Sequence, residues 1–331
     1  MTKITYWAAI RAAIEQAMAS DKRVVLMAQA AHHPDEGYSL ANDLSARFSP
    51  ERVRICPLSA ADLVCAGIGA ALGGLKPVLE VSSANSLAVL APLINNAASL
   101  GYKTGGQLSV PLVIRMMAGA AQPSPSLANW IAQIPGITVL VPATVADARY
   151  MLAEALADPD PTVIFEHRLL YTKEALCAPR TLYYSAERAL VRRPGNDLTL
   201  IAYSAYLDEA LAVAERLQAS DNMSIEVIDL RCLRPLDSET LFKSVRKTHR
   251  AALVDESWKT GSFAAEICAQ LVEHCWPDLH GPIRRVCSVE VPLLYPDHLA
   301  QAARPQRRDL EALARSVLGL VGRQQAARGS R

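Results

Sequence analysis

Short runs of apolar, β-branched residues alternate along this chain with stretches in which apolar positions recur every three or four residues. The short runs predict buried strands, and the periodic stretches predict amphipathic helices. This alternation is typical of a parallel sheet that is covered by helices on both faces. In the first half of the chain, strands are predicted over residues 23–28, 76–82, 110–116, 137–142 and 161–167.

The pattern lapses over residues 168–196, which are polar and rich in turn-forming residues, and then it resumes. Strands are predicted over 198–204, 224–230, 250–257 and 283–288, and helices near 206–218, 238–246 and 262–273. We therefore predict an α/β protein of two doubly wound domains. The expected boundaries are a first domain over 1–170, a linker over 171–196, a second domain over 197–320 and a disordered polar tail over 321–331.

Charge and cysteine content narrow the class of protein. The 331 residues carry 34 basic and 33 acidic side chains, a balance that favours neither a nucleic-acid nor a membrane partner. The first 23 residues form an amphipathic, charge-interrupted pattern, which predicts a helix and not a signal peptide. The seven cysteines form no CxxC pair, and most lie in apolar runs. We expect them to be buried, reduced thiols in a cytoplasmic protein.

Standard catalytic motifs do not account for this sequence. It contains no P-loop, no GxGxxG after a strand, no GxSxG and no HExxH. His32 and His33 are adjacent in a loop, where neighbouring side chains point in different directions. Metal ligation by both is therefore possible but not favoured. Asp255 and Glu256 end a predicted strand, where they either line a cleft or serve in a helix-capping or solvated role. The residues alone thus define a two-domain α/β protein with a helix of small residues that begins near Ser59.

Several ordered stretches then carry a resemblance over residues 5–317. They include "PLSAADLVCAGIGAALGGLKPVLEV", "INNAASLGYKTGGQLSVPLVIR", "WIAQIPGITVLVPATVADARYML", "DPDPTVIFEHRLLY" and "IEVIDLRCLRPLD". In these the chain resembles the β subunit of the thiamin-diphosphate-dependent decarboxylase component of 2-oxo acid dehydrogenase complexes, of the pyruvate and branched-chain types. That family is related to the pyrimidine-binding and C-terminal domains of transketolase.

The resemblance implies a cofactor and partners. The first domain would bind the pyrimidine of thiamin diphosphate beside an α-type subunit, which holds the diphosphate and magnesium, in an α2β2 heterotetramer. The second domain would form the contact between β subunits and dock a lipoyl acyltransferase or carrier protein. The diphosphate motif of the α subunit is absent from this chain, as the resemblance implies for a β subunit.

The start of the small-residue helix departs from the family pattern. Where the family reads Pro-Ile-Ser-Glu-Ala, this chain reads "PLSAA", which places Leu58 at the isoleucine and Ala60 at the glutamate. That carboxyl donates a hydrogen bond to the pyrimidine N1′ in the family, and a methyl group cannot. Asp62 is two residues further along the helix and points about 200° away, so it is not expected to substitute.

Other family pocket positions are replaced in the same way. The family glutamate after the first strand falls on Gln29, and the methionine of the next strand end falls on Ser82. The aromatic residue that stacks on the pyrimidine falls on Ser86, and the substrate-facing histidine falls on Pro123. These changes predict that the pyrimidine binds weakly in the family manner or not at all, because stacking and a buried hydrogen bond are both lost.

One further family feature is a monovalent cation site built from main-chain carbonyl groups. It maps to Leu112, Ala155, Asp158 and Asp160, around the sequence "LADPDP". Potassium is the cation that the resemblance implies. A plain turn between a helix and a strand is the alternative, and the residues favour neither.

The resemblance predicts a β-type subunit of a 2-oxo acid dehydrogenase that decarboxylates its substrate and transfers the acyl group to a lipoyl or carrier arm. The alternative is a non-catalytic scaffold, or a repurposed subunit of specialised metabolism that does not bind the pyrimidine in the family manner. A stand-alone binder of another small molecule is a third reading. No side chain of this chain is predicted to be catalytic.

Overall fold

The computed structural model describes residues 3–29, 38–81, 87–119, 127–177, 185–292 and 296–320. The chain divides into two compact units. The first comprises residues 1–186 together with 232–235, and the second comprises 187–231 and 236–331. The division thus falls inside the stretch predicted as a linker, and four residues from the second half of the sequence belong to the first unit.

Strands occur in both units at the apolar runs named above and at several shorter segments. Their bounds are β1 (Lys3–Thr5), β2 (Val24–Gln29), β3 (Val53–Cys56), β4 (Lys76–Val81), β5 (Val113–Ala118), β6 (Thr138–Leu140), β7 (Thr162–His167), β8 (Glu174–Leu176), β9 (Leu190–Arg193), β10 (Leu198–Ala202), β11 (Ile225–Asp229), β12 (Cys232–Arg234), β13 (Ala251–Trp258) and β14 (Arg284–Ser288).

Helices separate most of these strands. Their bounds are α1 (Tyr6–Ser20), α2 (Leu40–Leu44), α3 (Ala60–Leu72), α4 (Leu90–Pro92), α5 (Leu100–Lys103), α6 (Ala128–Ala132), α7 (Val145–Ala155), α8 (Tyr206–Asp221), α9 (Ser238–Thr248), α10 (Phe263–Cys275), α11 (Asp297–Ala303) and α12 (Arg307–Val317). A π-helical turn joins α4 to α5 (Leu93–Ala98), and short 3₁₀ turns include Arg168–Leu170 and Trp276–Asp278.

The described residues of the first unit form a seven-stranded sheet in the order β12-β6-β7-β5-β4-β2-β3. All neighbours are parallel except β12, which pairs antiparallel to β6. Strands β1 and β8 form a separate antiparallel pair. The predicted parallel α/β architecture is confirmed. The antiparallel edge was not predicted, because β12 is three residues long and its partner is distant in sequence.

Alternation along the strands shows which helix covers each face of this sheet. A β-carbon on Gly67 of α3 would come within 2.8 Å of a Leu79 side-chain carbon of β4, so α3 covers the Leu79 face. Glu80, the next residue, points to the opposite face, as does Arg115, its partner in β5. Arg115 lines a small cavity together with residues of α1 and α7. Helices α1 and α7 therefore cover the second face.

The second unit contains a five-stranded sheet in the order β14-β13-β10-β11-β9, parallel except for β9. Helices α8 and α12 pack together, and so do α9 and α10. Strands β8 and β9 lie within the stretch predicted as a linker, where their short, charged sequences gave no strand signal.

The cysteines correct one expectation. All seven are free, but only Cys232 and Cys275 are buried. Cys65 is exposed because it lies on the face of α3 that points away from the sheet. The predicted disordered tail, 321–331, lies outside the described residues.

Candidate functional site

The carboxyl edge of the first sheet brings together the two chain segments that the resemblance singled out. Gln29 is the last residue of β2 and is paired with Cys56, the last residue of β3. The chain then turns through Pro57 into α3. Ligand sites of open parallel sheets lie at this edge of the strands, so the position of Gln29 and the start of α3 suits a binding site.

A serine cap fixes the first turn of α3. The Ser59 hydroxyl oxygen accepts a hydrogen bond from the Asp62 backbone N–H at 3.1 Å and donates to the Asp62 carboxylate at 2.6 Å. Such a cap typically contributes about 1 kcal/mol to stability. Asp62 is exposed and held by this cap. Its carboxylate does not replace the glutamate that is missing at Ala60.

Gln29, Leu58 and Ala60 are neighbours in the structure. The Gln29 side-chain amide donates from Nε2 to the Leu58 carbonyl oxygen at 3.2 Å. Ala60 is only 1% exposed, whereas Leu58 is 38% exposed. The amide oxygen of the same Gln29 side chain, Oε1, is buried and accepts no hydrogen bond from any described residue. An unpaired buried acceptor of this kind costs about 1–3 kcal/mol until a donor reaches it.

These residues fit a pyrimidine in one respect and fail in another. Gln29 Oε1 offers a neutral acceptor to an N–H donor of a ligand. Ala60 offers only a buried methyl group where the resemblance requires a carboxyl directed at N1′. The described residues therefore lack the glutamate carboxyl that the resemblance requires for proton transfer at N1′. No proton-transfer step is assigned to this chain.

Ser82, Ser86 and Pro123 lie outside the described residues, as do His32 and His33. Their assignment to the pocket remains a prediction from the resemblance.

A buried charge cluster lies beside this edge, on the face covered by α1 and α7. Arg115 of β5 donates from Nε and Nη2 to both carboxylate oxygens of Glu166 in β7, at 2.7 and 2.5 Å. Tyr171 donates its hydroxyl proton to the same carboxylate at 3.1 Å. The guanidinium also lies 5.8 Å from the Trp7 ring centroid, in a cation–π geometry.

Glu80 extends this cluster to helix α2. Its carboxylate accepts the backbone N–H groups of Leu40 and Ala41, at 3.1 and 3.2 Å, and lies 3.8 Å from Arg115. Burial raises the pKa of Glu80, and Arg115 together with the two N–H groups opposes that rise. Burial also raises the pKa of Tyr171, and the nearby Glu166 charge adds to the effect.

Sequence reasoning missed this cluster. The available signal was a charged residue within each of three mostly apolar strands: Glu80, Arg115 and Glu166. A charge in a buried strand requires a partner. The sequence alone could not show that these three are partners, because their pairing depends on the strand order.

The residues predicted to hold a cation lie around the turn that follows α7. The Leu112 carbonyl accepts the Thr162 N–H at 2.9 Å, as part of the link between β5 and β7. The Asp158 carboxylate accepts the Asp160 N–H at 3.0 Å. Burial, with the Asp158 charge second, raises the pKa of Asp160. Ala155 ends α7 immediately before this turn, so the four predicted positions fall in one region.

In the second unit, Asp255 has a structural role. It is completely buried and accepts hydrogen bonds from the Tyr203 hydroxyl, from both N–H and hydroxyl of Ser257, and from the Ala264 N–H in the first turn of α10. The helix-capping reading of this carboxylate is therefore confirmed. Glu256 forms an ion pair with Arg304 at 3.2 Å.

Two general features of the described residues bear on the class of site. None of their histidine, cysteine, aspartate and glutamate side chains form a group of three or more that could hold a metal ion. None of the helices they form has both the length and the apolar character needed to cross a bilayer.

Comparison with known domain families covers nearly the whole chain. The transketolase pyrimidine-binding domain matches residues 2–174, and the transketolase C-terminal domain matches residues 187–310. Among solved structures, a chain described as a split gene transketolase, inactive β4 tetramer, superposes with a TM-score of 0.78 at 20% identity. The match covers 96% of this chain and 99% of that one, and it shows the shared fold.

Curated relatives extend the comparison beyond the fold. The chain is 38% identical over 314 residues to pyruvate dehydrogenase E1 component subunit beta-1, mitochondrial, of Arabidopsis thaliana, covering 91% of this chain and 86% of the relative. It is 35% identical over 331 residues to the mitochondrial beta subunit of Drosophila melanogaster, covering 96% and 90%. The chain therefore belongs to the family of pyruvate dehydrogenase E1 β subunits, the β-type subunits of thiamin-diphosphate-dependent 2-oxo acid dehydrogenases.

Proposed function

We propose that this chain is the β-type subunit of an α2β2 2-oxo acid dehydrogenase, which decarboxylates a 2-oxo acid and transfers the acyl group to a lipoyl or carrier arm. An α-type partner would hold the diphosphate and magnesium. The observation that carries the proposal is the match to β subunits over 91–96% of the chain. A lipoyl acyltransferase or carrier protein as a second partner, and a cytoplasmic location, belong to the same proposal.

The geometry of the site limits what this chain contributes. Its described part supplies the carboxyl edge of the sheet, the capped start of α3 and the free acceptor Gln29 Oε1. Thiamin diphosphate, when bound, supplies the carbanion chemistry of decarboxylation. This chain would orient the pyrimidine through Gln29 and close the wall behind it with the Ala60 methyl group.

The proposal is tested by calorimetric titration of thiamin diphosphate and magnesium into this chain copurified with an α-type subunit that carries the diphosphate motif. Saturable binding of the cofactor is the expected result. An intact complex that binds no cofactor would contradict the proposal and would instead support a scaffold or repurposed subunit.

Two substitutions in the same helical turn show whether the cofactor adopts the usual pose. Ala60→Glu places a carboxyl where the resemblance requires it and should strengthen cofactor binding by about tenfold, as expected for a regained charge-assisted hydrogen bond. Ala61→Glu adds the same charge about 100° around the helix and should leave the affinity unchanged. Equal effects of both substitutions would mean that the pyrimidine does not lie against Ala60.

We further propose that the turn at Asp158 and Asp160 binds potassium through main-chain oxygens. Potassium chloride should then raise the unfolding temperature of the chain above that in tetramethylammonium chloride at the same ionic strength. Equal unfolding temperatures in the two salts would favour the plain turn.

A further inference from the structure

A groove of about 300 Å³ runs between α1 and α7 in the first unit. It begins where β2 and β4 begin, since Val24 and Lys76 both line it. The candidate site lies at the other end of these strands, beyond the six residues of β2, which span roughly 17 Å. The groove is therefore separate from the candidate site, and its volume is at the lower end of the range for small-molecule pockets.

The groove exists because small residues face one another across the two helices. Ala13 and Ala17 of α1 lie opposite Ala153 of α7 and Ala157 just beyond it. The separation of two packed helices depends on the side chains at their contact, and alanine side chains are too small to fill the space where larger residues set that separation. The result is an apolar floor that stays open, and unfilled apolar space is normally unfavourable.

Each end of the groove carries a cation. At one end, Arg149 donates from Nη2 to the Gln16 side-chain oxygen at 2.5 Å. At the other end, Lys76 donates from Nζ to the Leu156 carbonyl oxygen at 2.8 Å. Both acceptors are neutral, so these hydrogen bonds hold the two cations in place without cancelling their charge.

The carboxylate that lines the groove is already engaged. Asp21 accepts two hydrogen bonds from the Arg23 guanidinium, at 3.0 and 2.8 Å. That ion pair is electrically neutral, and among the other described residues lining the groove none is acidic. With Arg23 counted against Asp21, the groove has a net positive charge from Arg149 and Lys76, and Asp21 also interacts electrostatically with Lys76.

The separation of the two ends of the groove along α7 sets the length of the ligand. Leu156, whose carbonyl oxygen binds Lys76, lies seven residues after Arg149 at the end of α7. This separation corresponds to about 10 Å along the helix axis. We propose that this groove binds an aliphatic dicarboxylate, with one carboxylate at Arg149, the other at Lys76 and the methylene chain on the alanine floor. The two cations favour a ligand with a negative charge at each end, and the alanine floor favours a ligand whose middle is apolar.

Three probes of equal chain length test the two-ended recognition: suberate, octanoate and the eight-carbon diol. Each is titrated by calorimetry into the full-length chain as purified with its α-type partner. Suberate should bind about tenfold more tightly than octanoate, because octanoate forms one charge-assisted contact instead of two. The diol should show no saturable binding. Equal binding of suberate and octanoate, or no saturable binding of suberate, would overturn the proposal.

Substitutions locate the site. Arg149→Gln should weaken suberate binding about tenfold, while Arg11→Gln, which removes the same charge from an exposed position on α1 outside the groove, should not. Ala153→Leu should abolish binding by filling the groove. If Ala153→Leu does not fold, the Arg149→Gln and Arg11→Gln pair still decides the matter. Equal suberate affinities of these two variants would overturn the assignment.

Discussion

Asp160 shows how one carboxyl can make stability depend on pH. Burial and the neighbouring Asp158 charge raise its pKa above the usual 3.8. The folded chain therefore holds a proton on Asp160 at pH values where the unfolded chain has released it. Stability from this group is greatest at low pH and falls as the pH rises through the window above 3.8, since the folded state binds more protons there.

Asp160→Asn should remove this dependence, because the amide neither ionises nor repels Asp158. In urea unfolding in potassium-free buffer above pH 3.8, the slope of stability against pH should be more positive for Asp160→Asn than for the wild type. Glu273→Gln, at an exposed position of α10, should leave the wild-type slope unchanged. If Asp160→Asn keeps that slope as well, Asp160 is not its source.

Single residues also show how far sequence reasoning reaches at the site. The replacement at Ala60 and the orientation of Asp62 could be predicted, because both depend on a local motif and on helix geometry. The contact between Gln29 and Leu58 could not, because it joins the end of β2 to the residues that follow the neighbouring strand β3. The same holds for Glu80, Arg115 and Glu166, whose contacts depend on strand order.

At the scale of the element, the Arg115–Glu166 pair ties β5 to β7. Both side chains are 4% exposed. Removing one member of a buried pair leaves the other charged and without compensation, which typically costs about 3–5 kcal/mol. An exposed pair contributes at most about 1 kcal/mol.

Arg115→Met should therefore lower the free energy of unfolding by about 3–5 kcal/mol. Arg23→Gln, which breaks the exposed pair with Asp21, should lower it by less than about 1 kcal/mol. Urea unfolding of both variants makes the comparison. Similar small losses in the two would mean that Glu166 is neutralised by a proton or reached by water.

Helix α3 provides a second matched pair. A β-carbon on Gly67 would lie 2.8 and 3.0 Å from the Leu79 side-chain tips and 3.2 Å from Leu112, whereas nothing lies within 4 Å of one on Gly69. Gly69→Ala should stabilise the isolated chain by up to about 1 kcal/mol through helix propensity. Gly67→Ala should be less stable than Gly69→Ala, because Leu79 and Leu112 must move. Equal urea midpoints would show that this packing is loose.

Most of the elements that sequence reasoning missed are short. Strands β1, β3, β8, β9 and β12 each contain three or four residues, too few for a periodic pattern to appear. Most of the longer strands and helices were predicted because they bury an apolar face along several turns or pleats, but α12, with 11 residues, was not predicted. An element was predictable where it is long enough to show a periodic pattern, and difficult to predict where it is short and forms only by pairing with a strand distant in sequence.

For the whole molecule, the notable feature is that β12 belongs to the first sheet although residues 187–231 belong to the second unit. A fragment of residues 1–186 would leave one edge of β6 unpaired. Unpaired edges favour aggregation.

We expect that fragment to associate in light-scattering measurements at concentrations where the full chain does not. A synthetic peptide covering residues 229–237 should reduce that association, and a peptide of scrambled sequence should not. A fragment that stays dispersed without peptide would show that β12 is dispensable to the sheet.

The same strand has a consequence for synthesis on the ribosome. When residue 186 has left the exit tunnel, the first sheet still lacks its last strand, which is roughly 50 residues further along. At about 5–20 residues per second, the nascent chain waits some seconds with that edge open. Nascent-chain chaperones would meet this protein during that interval, and slow codons between 187 and 235 would lengthen it.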